Sequence, residues 1–491
     1  NTQRPEWNDA NNALAGWGLS VVTVCYLRRH LILLDRLFAD HGGDLRLTRP
    51  TADLVQAVAG AVAMPDGTDS FTVFEALGRA GERHRAAVYA GGPVERIVVT
   101  CAAVRGMLQA ALRMVDETIA RNRREDGMFH SYNRLVVRDR RLEVWHLDLM
   151  LEGQVAALSS GCLDDDAALG LLDALRHSPL YRPDQRSYLL QPDRDLPAFL
   201  DRNRLPADWR DRCPSIAAQV AAGATSLIVV DARGDAHFNA DLTNDRDLQA
   251  ALAAAAVPPA EWPAAQDLWE QVFNHASFTG RSGTFFAFEG LGSIYWHMIA
   301  KLLLAVQECH ARAAAANKPR FREAYVAIRN GLGFRKTPEE YGAFPTDAYS
   351  HTPRHLGAQQ PGMTGQVKEE ILTRLGELGV GVEDGRLRFD PQLLDDAEFG
   401  AARSFAVEVA DGQTHSVSIP EGGLAFTLCQ VPVVYGPARE ATVTVDYADG
   451  RMEVHPGDAL PADTSQEILS RSGRIAGIRV GLVRTAQEQT R

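Results

Sequence analysis

A carboxylic acid, an indole and a row of carboxamides stand together near the head of this sequence. Glu6-Trp7-Asn8-Asp9-Ala10-Asn11-Asn12 runs straight into a long apolar helical pattern. A carboxyl group beside an indole is poorly solvated. Its pKa rises, and it can keep a proton for a leaving group as a general acid does. Trp7 offers a flat face to a sugar ring, while Glu6 and Asn8 offer hydrogen bonds to hydroxyls. The plainer alternative is an N-cap, in which Asp9 or Asn8 satisfies orphan amides of the first helical turn.

Three further stretches carry reactive or ligand-binding residue types. Arg281 to His297, "RSGTFFAFEGLGSIYWH", mixes Arg281, Glu289 and His297 with aromatics and with Gly283, Gly290 and Gly292. Glycines permit close backbone approach. The competing account is a loop entering a core helix, with Glu289 as a first-turn acid favoured by the helix dipole. Residues 341–367, "YGAFPTDAYSHTPRHLGAQQPGMTGQV", hold His351, Arg354, His355, Gln359 and the Thr364-Gly365 step into a helix. A helix N-terminus with a hydroxyl and a glycine presents N–H groups to an anion; the alternative is an Ω-loop capped by Thr364. Finally "FHSYN", Phe129 to Asn133, could line a sugar site through His130, Tyr132 and Asn133, or simply form a turn.

Several chemistries lack support. There is no HExxH, no P-loop, no GxSxG and no His/Cys pairing at metal spacing, so metal catalysis, nucleotide binding by a P-loop and serine hydrolysis are not expected. No metal or organic cofactor is expected. Net charge is −12 with a pI near 5.6, which argues against nucleic-acid and anionic-membrane partners. No uncharged apolar run reaches membrane-spanning length. Six cysteines lie far apart without CxxC, which fits free thiols in a reducing, cytoplasmic setting.

The elements that must position these residues read mostly as helices. Helical patterns cover 12–38, 51–63, 71–90, 96–120, 147–177, 246–256, 262–274, 290–316, 319–331 and 364–377, and a strand pair is read at 134–146. The stretch 178–245 is rich in Pro, Asp and Arg. After Gly379 short alternating runs separated by Gly, Pro and Asp-Gly turns predict antiparallel strands. The expected fold is therefore mainly α: an (α/α)6 toroid of helical hairpins over 1–378, then a small β-sandwich-like domain over 379–491.

With those residues in view, "EWNDANNAL" resembles the W-N-D-x-x-N segment of inverting β-glycoside phosphorylases of the cellobiose phosphorylase type, glycoside hydrolase family 94 and its clan. "RSGTFFAFEG" resembles that family's Gly-Gly-aromatic segment, and "GMTGQVKEEILTRLGELGVGVEDGRLRFDP" its ending. Set beside that family, the stretch at about 120–270 looks like a large insertion, and the resemblance then implies a divergent, β-1,3-glucan phosphorylase-like branch. The resemblance implies that Asp9 is the general acid, that Glu6, Trp7, Asn8, Glu289 and Gln359 contact a β-gluco-oligosaccharide, and that Thr364, Gly365, His351, Arg281 and His355 hold inorganic phosphate. Ala287 and Phe288 occupy the place where the family carries a histidine, so the phosphate histidine falls to His351, His355 or His297, with Arg354 as a further cation. The products would be α-glucose 1-phosphate and a shortened β-glucan. A homodimer is expected. The motif at Asp9 lies in mid-fold in the family, so an upstream portion, on the same or another chain, is expected as well. An inverting hydrolase on the same fold would need a second carboxylate about 6.5–9.5 Å from Asp9, Glu289 or Asp347; a non-catalytic glycan-binding subunit would need none.

Overall fold

The structure, a computed structural model, describes residues 18–65, 67–92, 95–195, 197–274, 278–279, 285–286, 291–345, 349–354, 356–361, 364–408, 412 and 414–483, with backbone alone at 278–279, 285–286, 334, 360–361 and 364–368. Two compact units form: Asn1–Asn317 with Ala327–Gly362, and Lys318–Val326 with Met363–Arg491.

The expectation of a mainly α (α/α)6 toroid is corrected. The described residues are 46% helical and 24% strand, the strands forming several small sheets. Many of those strands lie between helices of the first unit: Gly18–Ser20, Asp44–Thr48, Arg96–Thr100, Ile294–Tyr295 and Tyr349–Thr352 among them. Two- to five-residue strands carry too few residues for a period to show, whereas twenty-residue helices dominate any pattern count. The helix read from residue 12 accordingly begins at Val21, after a strand, and the helix read from 96 begins at Cys101, after another.

In the first unit, Ser20 caps Val21–His41 by accepting the Thr23 amide at 3.0 Å, and Gly42 closes the helix in the left-handed region at φ 63°. This helix packs on Cys101–Arg121, which is capped by Thr100 and buries Cys101, Val104, Leu108, Val115 and Ile119. That three-to-four spacing defines one apolar face. A second helix pair, Arg49–Val62 and Ser70–Ala90, is tied to the first by the ribbon Asp44–Thr48 with Arg96–Thr100. Leu151–Ser160 buries every residue but Glu152 and packs on Val21–His41 and on Trp296–Arg312. On its other side Gly153 admits the segment at Ser131, because a Cβ there would lie 2.5 Å from Ser131 Oγ. The three-stranded sheet Gly18–Ser20, Tyr132–Arg138, Arg141–His146 stands beside these helices.

Residues 205–272 build a core of their own around Trp209, Phe238, Leu248, Leu252, Leu268 and Trp269. Trp269 meets Phe238 edge-on at 4.9 Å, a geometry the ring quadrupoles favour.

The second unit holds helix Thr364–Glu377, the hairpin Val380–Glu383 with Arg386–Phe389, a hairpin Arg403–Glu408 with Thr414–Ile419, and a five-stranded sheet. That sheet is antiparallel except where Val431–Pro437 and Ile475–Leu482 pair in parallel. Val443 and Val445 are fully buried while their neighbours Thr442 and Thr444 are less so, the period-two pattern of a sheet with one face on a core. Gly379 makes the helix-to-strand turn at φ +71°, where a Cβ would lie 2.1 Å from the Asp390 carbonyl carbon.

Candidate functional site

Helix Trp296–Arg312 is buried nearly all round: Trp296, Ile299, Leu302, Ala305 and Val306 have no measurable exposure. Its first residues are therefore held rigidly. The chain enters through the extended pair Ile294–Tyr295, which hydrogen-bonds to Thr352 and His351. Strand Tyr349–Thr352 continues the sheet to Gln359–Pro361, with His351 opposite Gln359. His351 thus occupies a central strand, flanked by Tyr295 on one side and Gln359 on the other.

The side chains converge on His351. The Tyr295 ring stacks on its imidazole, centroids 4.9 Å apart and planes 14° from parallel. The Tyr295 hydroxyl lies 3.2 Å from His297 Nδ1, and the Ser350 hydroxyl 2.7 Å from His351 Nδ1. Two imidazoles and two hydroxyls, brought together by the pairing of Ile294–Tyr295 with Tyr349–Thr352, make a donor set suited to an anion. Alternation along the strand sends Thr352 the other way. Its hydroxyl, fully buried, accepts the Trp296 indole N–H at 2.9 Å. Arg182 donates to the Thr352 and Pro353 carbonyls and also pairs with Asp184.

Beneath the indole lies Lys336. Its ammonium sits 4.6 Å from the centre of the Trp296 ring and donates to Gln185 Oε1 at 2.9 Å. Gln185 in turn donates to the Glu340 carbonyl. Burial, reinforced by the charge of Arg186, brings the Lys336 pKa down to about 7.

Of the phosphate candidates, His351 and His297 are brought together through Tyr295. Arg354 is not drawn in: it is half-exposed and paired with Asp193. Gln359 is exposed and donates to the Gly357 carbonyl. Thr364 and Gly365 open helix Thr364–Glu377 of the second unit, described in backbone only. Glu6, Trp7, Asn8, Asp9, Arg281, Glu289, Asp347 and His355 lie outside the described residues.

A second cluster gathers where strand Gly18–Ser20 meets Tyr132–Arg138, with Leu19 opposite Asn133. His130 and His146 stack at 3.8 Å, 7° from parallel. His146 Nδ1 donates to Asn133, and Asn133 donates to Asn122. The Tyr132 hydroxyl bonds Glu152. Burial, then the neighbouring charge of His146 and of Arg124, pushes the His130 pKa down to about 4. His130 and Asn133 were legible from "FHSYN"; His146 was not. Tyr295, Lys336 and Gln185 were likewise missed as site residues, since nothing local marks a lysine or a glutamine as buried. The one usable hint was Thr337-Pro338-Glu339-Glu340, a capping box that fixes the turn after Lys336.

Among the described residues no group of three or more His, Cys, Asp or Glu is placed to hold a metal ion, and no helix is long and apolar enough to cross a membrane. All six cysteines are free.

Residues 196–276 match the family profile described as GH149 phosphorylase insertion domain 2. The matched segment contains the whole core around Trp209, Phe238 and Trp269. This supports a glycoside phosphorylase family for the chain. It extends neither to the cellobiose phosphorylase type nor to a particular branch. No curated protein matches the chain.

Proposed function

We propose that this chain carries the catalytic region of an inverting phosphorylase of β-linked gluco-oligosaccharides, β-1,3-linked by preference, with α-glucose 1-phosphate as product. The observation that carries the reading is the match of residues 196–276 to a phosphorylase insertion domain. The sequence motifs at Asp9 and Thr364-Gly365 and the imidazole cluster at His351 support it.

The chemistry needs one acid. An inverting hydrolase pairs an acid with a base that activates water; phosphate is already a nucleophile. Asp9 would protonate the glycosidic oxygen as phosphate attacks the anomeric carbon from the opposite face. The bond to the leaving sugar breaks, the bond to phosphate forms, and the configuration inverts. Trp7 would stack on the sugar ring, with Glu6, Asn8, Glu289 and Gln359 on its hydroxyls. His351, with Arg281, His355 and the Thr364-Gly365 step, would supply charge-assisted hydrogen bonds to phosphate, on the order of 1.5–3 kcal/mol each.

The test is sugar 1-phosphate release from a panel of β-glucans differing in linkage, with and without phosphate, with the product anomer read by NMR. Phosphate-dependent formation of an α-anomer is expected. Cleavage at an equal rate without phosphate would identify a hydrolase instead.

A further inference from the structure

Among the described residues Lys336 is the buried amine that the proposed reaction does not use. It lies in the loop between the short turn Gly333–Arg335 and helix Pro338–Tyr341, with only 8% of its surface exposed. The loop is locked in place. A Cβ on Gly333 would lie 2.7 Å from the Tyr341 ring, and Tyr341 meets Trp296 edge-on at 5.4 Å.

Every charged group around Lys336 already has a partner. Arg182 pairs with Asp184, and Arg186 with Glu340. Among the described residues Lys336 therefore has no carboxylate of its own. Its ammonium rests on one amide oxygen and one aromatic face. The charges that face it are those of Arg186, Glu340, Arg182 and Asp184, and Tyr341 stands on its own loop.

The amine stands at the start of a short relay. The ammonium holds the face of the Trp296 ring; the Trp296 N–H holds the Thr352 hydroxyl; Thr352 is the strand neighbour of His351. A cation gains from an aromatic face only while charged.

We propose that Lys336 is a positioning residue for the His351 strand, and that its charge ties anion affinity at this strand to pH near neutrality. This rests on the phosphorylase reading, because it takes the strand to be an anion site. With the Lys336 pKa at about 7, the ammonium is present at pH 6 and largely lost at pH 8. Anion affinity therefore falls as pH rises, by roughly two- to tenfold, as the hold on the Trp296 face that seats Thr352 is lost with the charge.

Sulfate is the probe, because it keeps the same charge across this range whereas phosphate does not. Its binding to the full chain is measured calorimetrically at pH 6 and pH 8. Wild type should lose affinity between the two. Lys336→Met should bind weakly at both, with the step gone; Lys336→Arg, charged throughout, should bind well at both. The part of the step that Lys336→Met abolishes is the Lys336 share. A folded Lys336→Met with wild-type affinity and an unchanged step overturns the proposal. If that variant does not fold, wild type decides: sulfate binding at pH 7.5 must take up protons, read from binding heats in buffers of different ionisation enthalpy. Zero uptake overturns it as well. Absence of any sulfate or phosphate binding by wild type at pH 6, with glycan cleaved by water, would sink the phosphorylase reading and this inference together. That outcome differs plainly from binding that ignores Lys336.

Discussion

Thr352 illustrates what a single hydroxyl decides. It is fully buried and is the acceptor for the Trp296 indole. Thr352→Val keeps the shape and removes the acceptor, leaving a buried N–H unpaired at a cost of about 1–3 kcal/mol. The urea midpoint should fall accordingly at unchanged slope; a loss below about 0.5 kcal/mol, the range of an ordinary surface substitution, would show that the indole does not depend on this bond. At the other end of the chemistry, Asp9→Asn should leave stability nearly unchanged, because Asn keeps the size of Asp and still accepts hydrogen bonds. It should lower turnover of unactivated glycans by about 10²–10⁴-fold, the contribution of a general acid. Retained turnover would shift the acid to Glu6 or Glu289. Both residues were open to sequence reading to different degrees. Asp9 sits in a local motif, whereas Thr352 acquires its role from a tryptophan 56 positions away.

Elements are held by a few positions where only glycine fits. Gly292 leads into strand Ile294–Tyr295 at φ +65°, and a Cβ there would lie 2.6 Å from Asp193 Oδ1. Gly292→Ala therefore strains the backbone and pushes on the carboxylate that pairs with Arg354. A stability loss of about 1–3 kcal/mol is expected. Gly60 is the opposite case. It lies inside helix Arg49–Val62 with open space where a Cβ would go, so Gly60→Ala should stabilise by about 0.5–1 kcal/mol. Denaturant melts of the two variants should move in opposite directions. Equal shifts would mean that the local geometry at Gly292 is not what the chain adopts. Element reading from sequence succeeds on the same physical ground. Helices of ten residues or more repeat their apolar face several times, so Trp262–Phe273 was legible to within a residue, whereas the reading 290–316 found Trp296–Arg312 but ran over the strand that enters it. Ile294–Tyr295 has only two residues and no period to repeat, yet it is the strand that seats His351.

At the scale of the molecule, stability and function divide among separate cores. Trp269→Ala removes one of the two buried indoles of the 205–272 core and should cost that core about 3–5 kcal/mol. Limited proteolysis should then open 205–272 while sulfate binding persists; loss of both together would mean that the core and the His351 sheet unfold as one. Acid should act elsewhere. The His130 pKa is held at about 4 against 6.5 in the free residue. A depressed folded value means the contribution is full above about 6.5 and drains away as pH falls toward 4. After allowance for partial exposure this amounts to about 1–2 kcal/mol. Wild type should therefore lose more stability between pH 7 and pH 4.5 than His130→Gln, measured by urea midpoints; equal losses would mean that the His130–His146 stack is not maintained in solution. By itself, the sequence determined which residue types could do glycoside chemistry, where the long helices run, and that short alternating strands follow Gly379. These are local properties, written in spacing and turn chemistry. The tertiary structure decided that strands are interspersed among the first unit's helices, that His351 stacks on Tyr295, and that Lys336 lies under Trp296 bonded to a glutamine 151 positions away. Burial and pairing are properties of residues distant in sequence, and no periodicity within one element reports which other element will cover it.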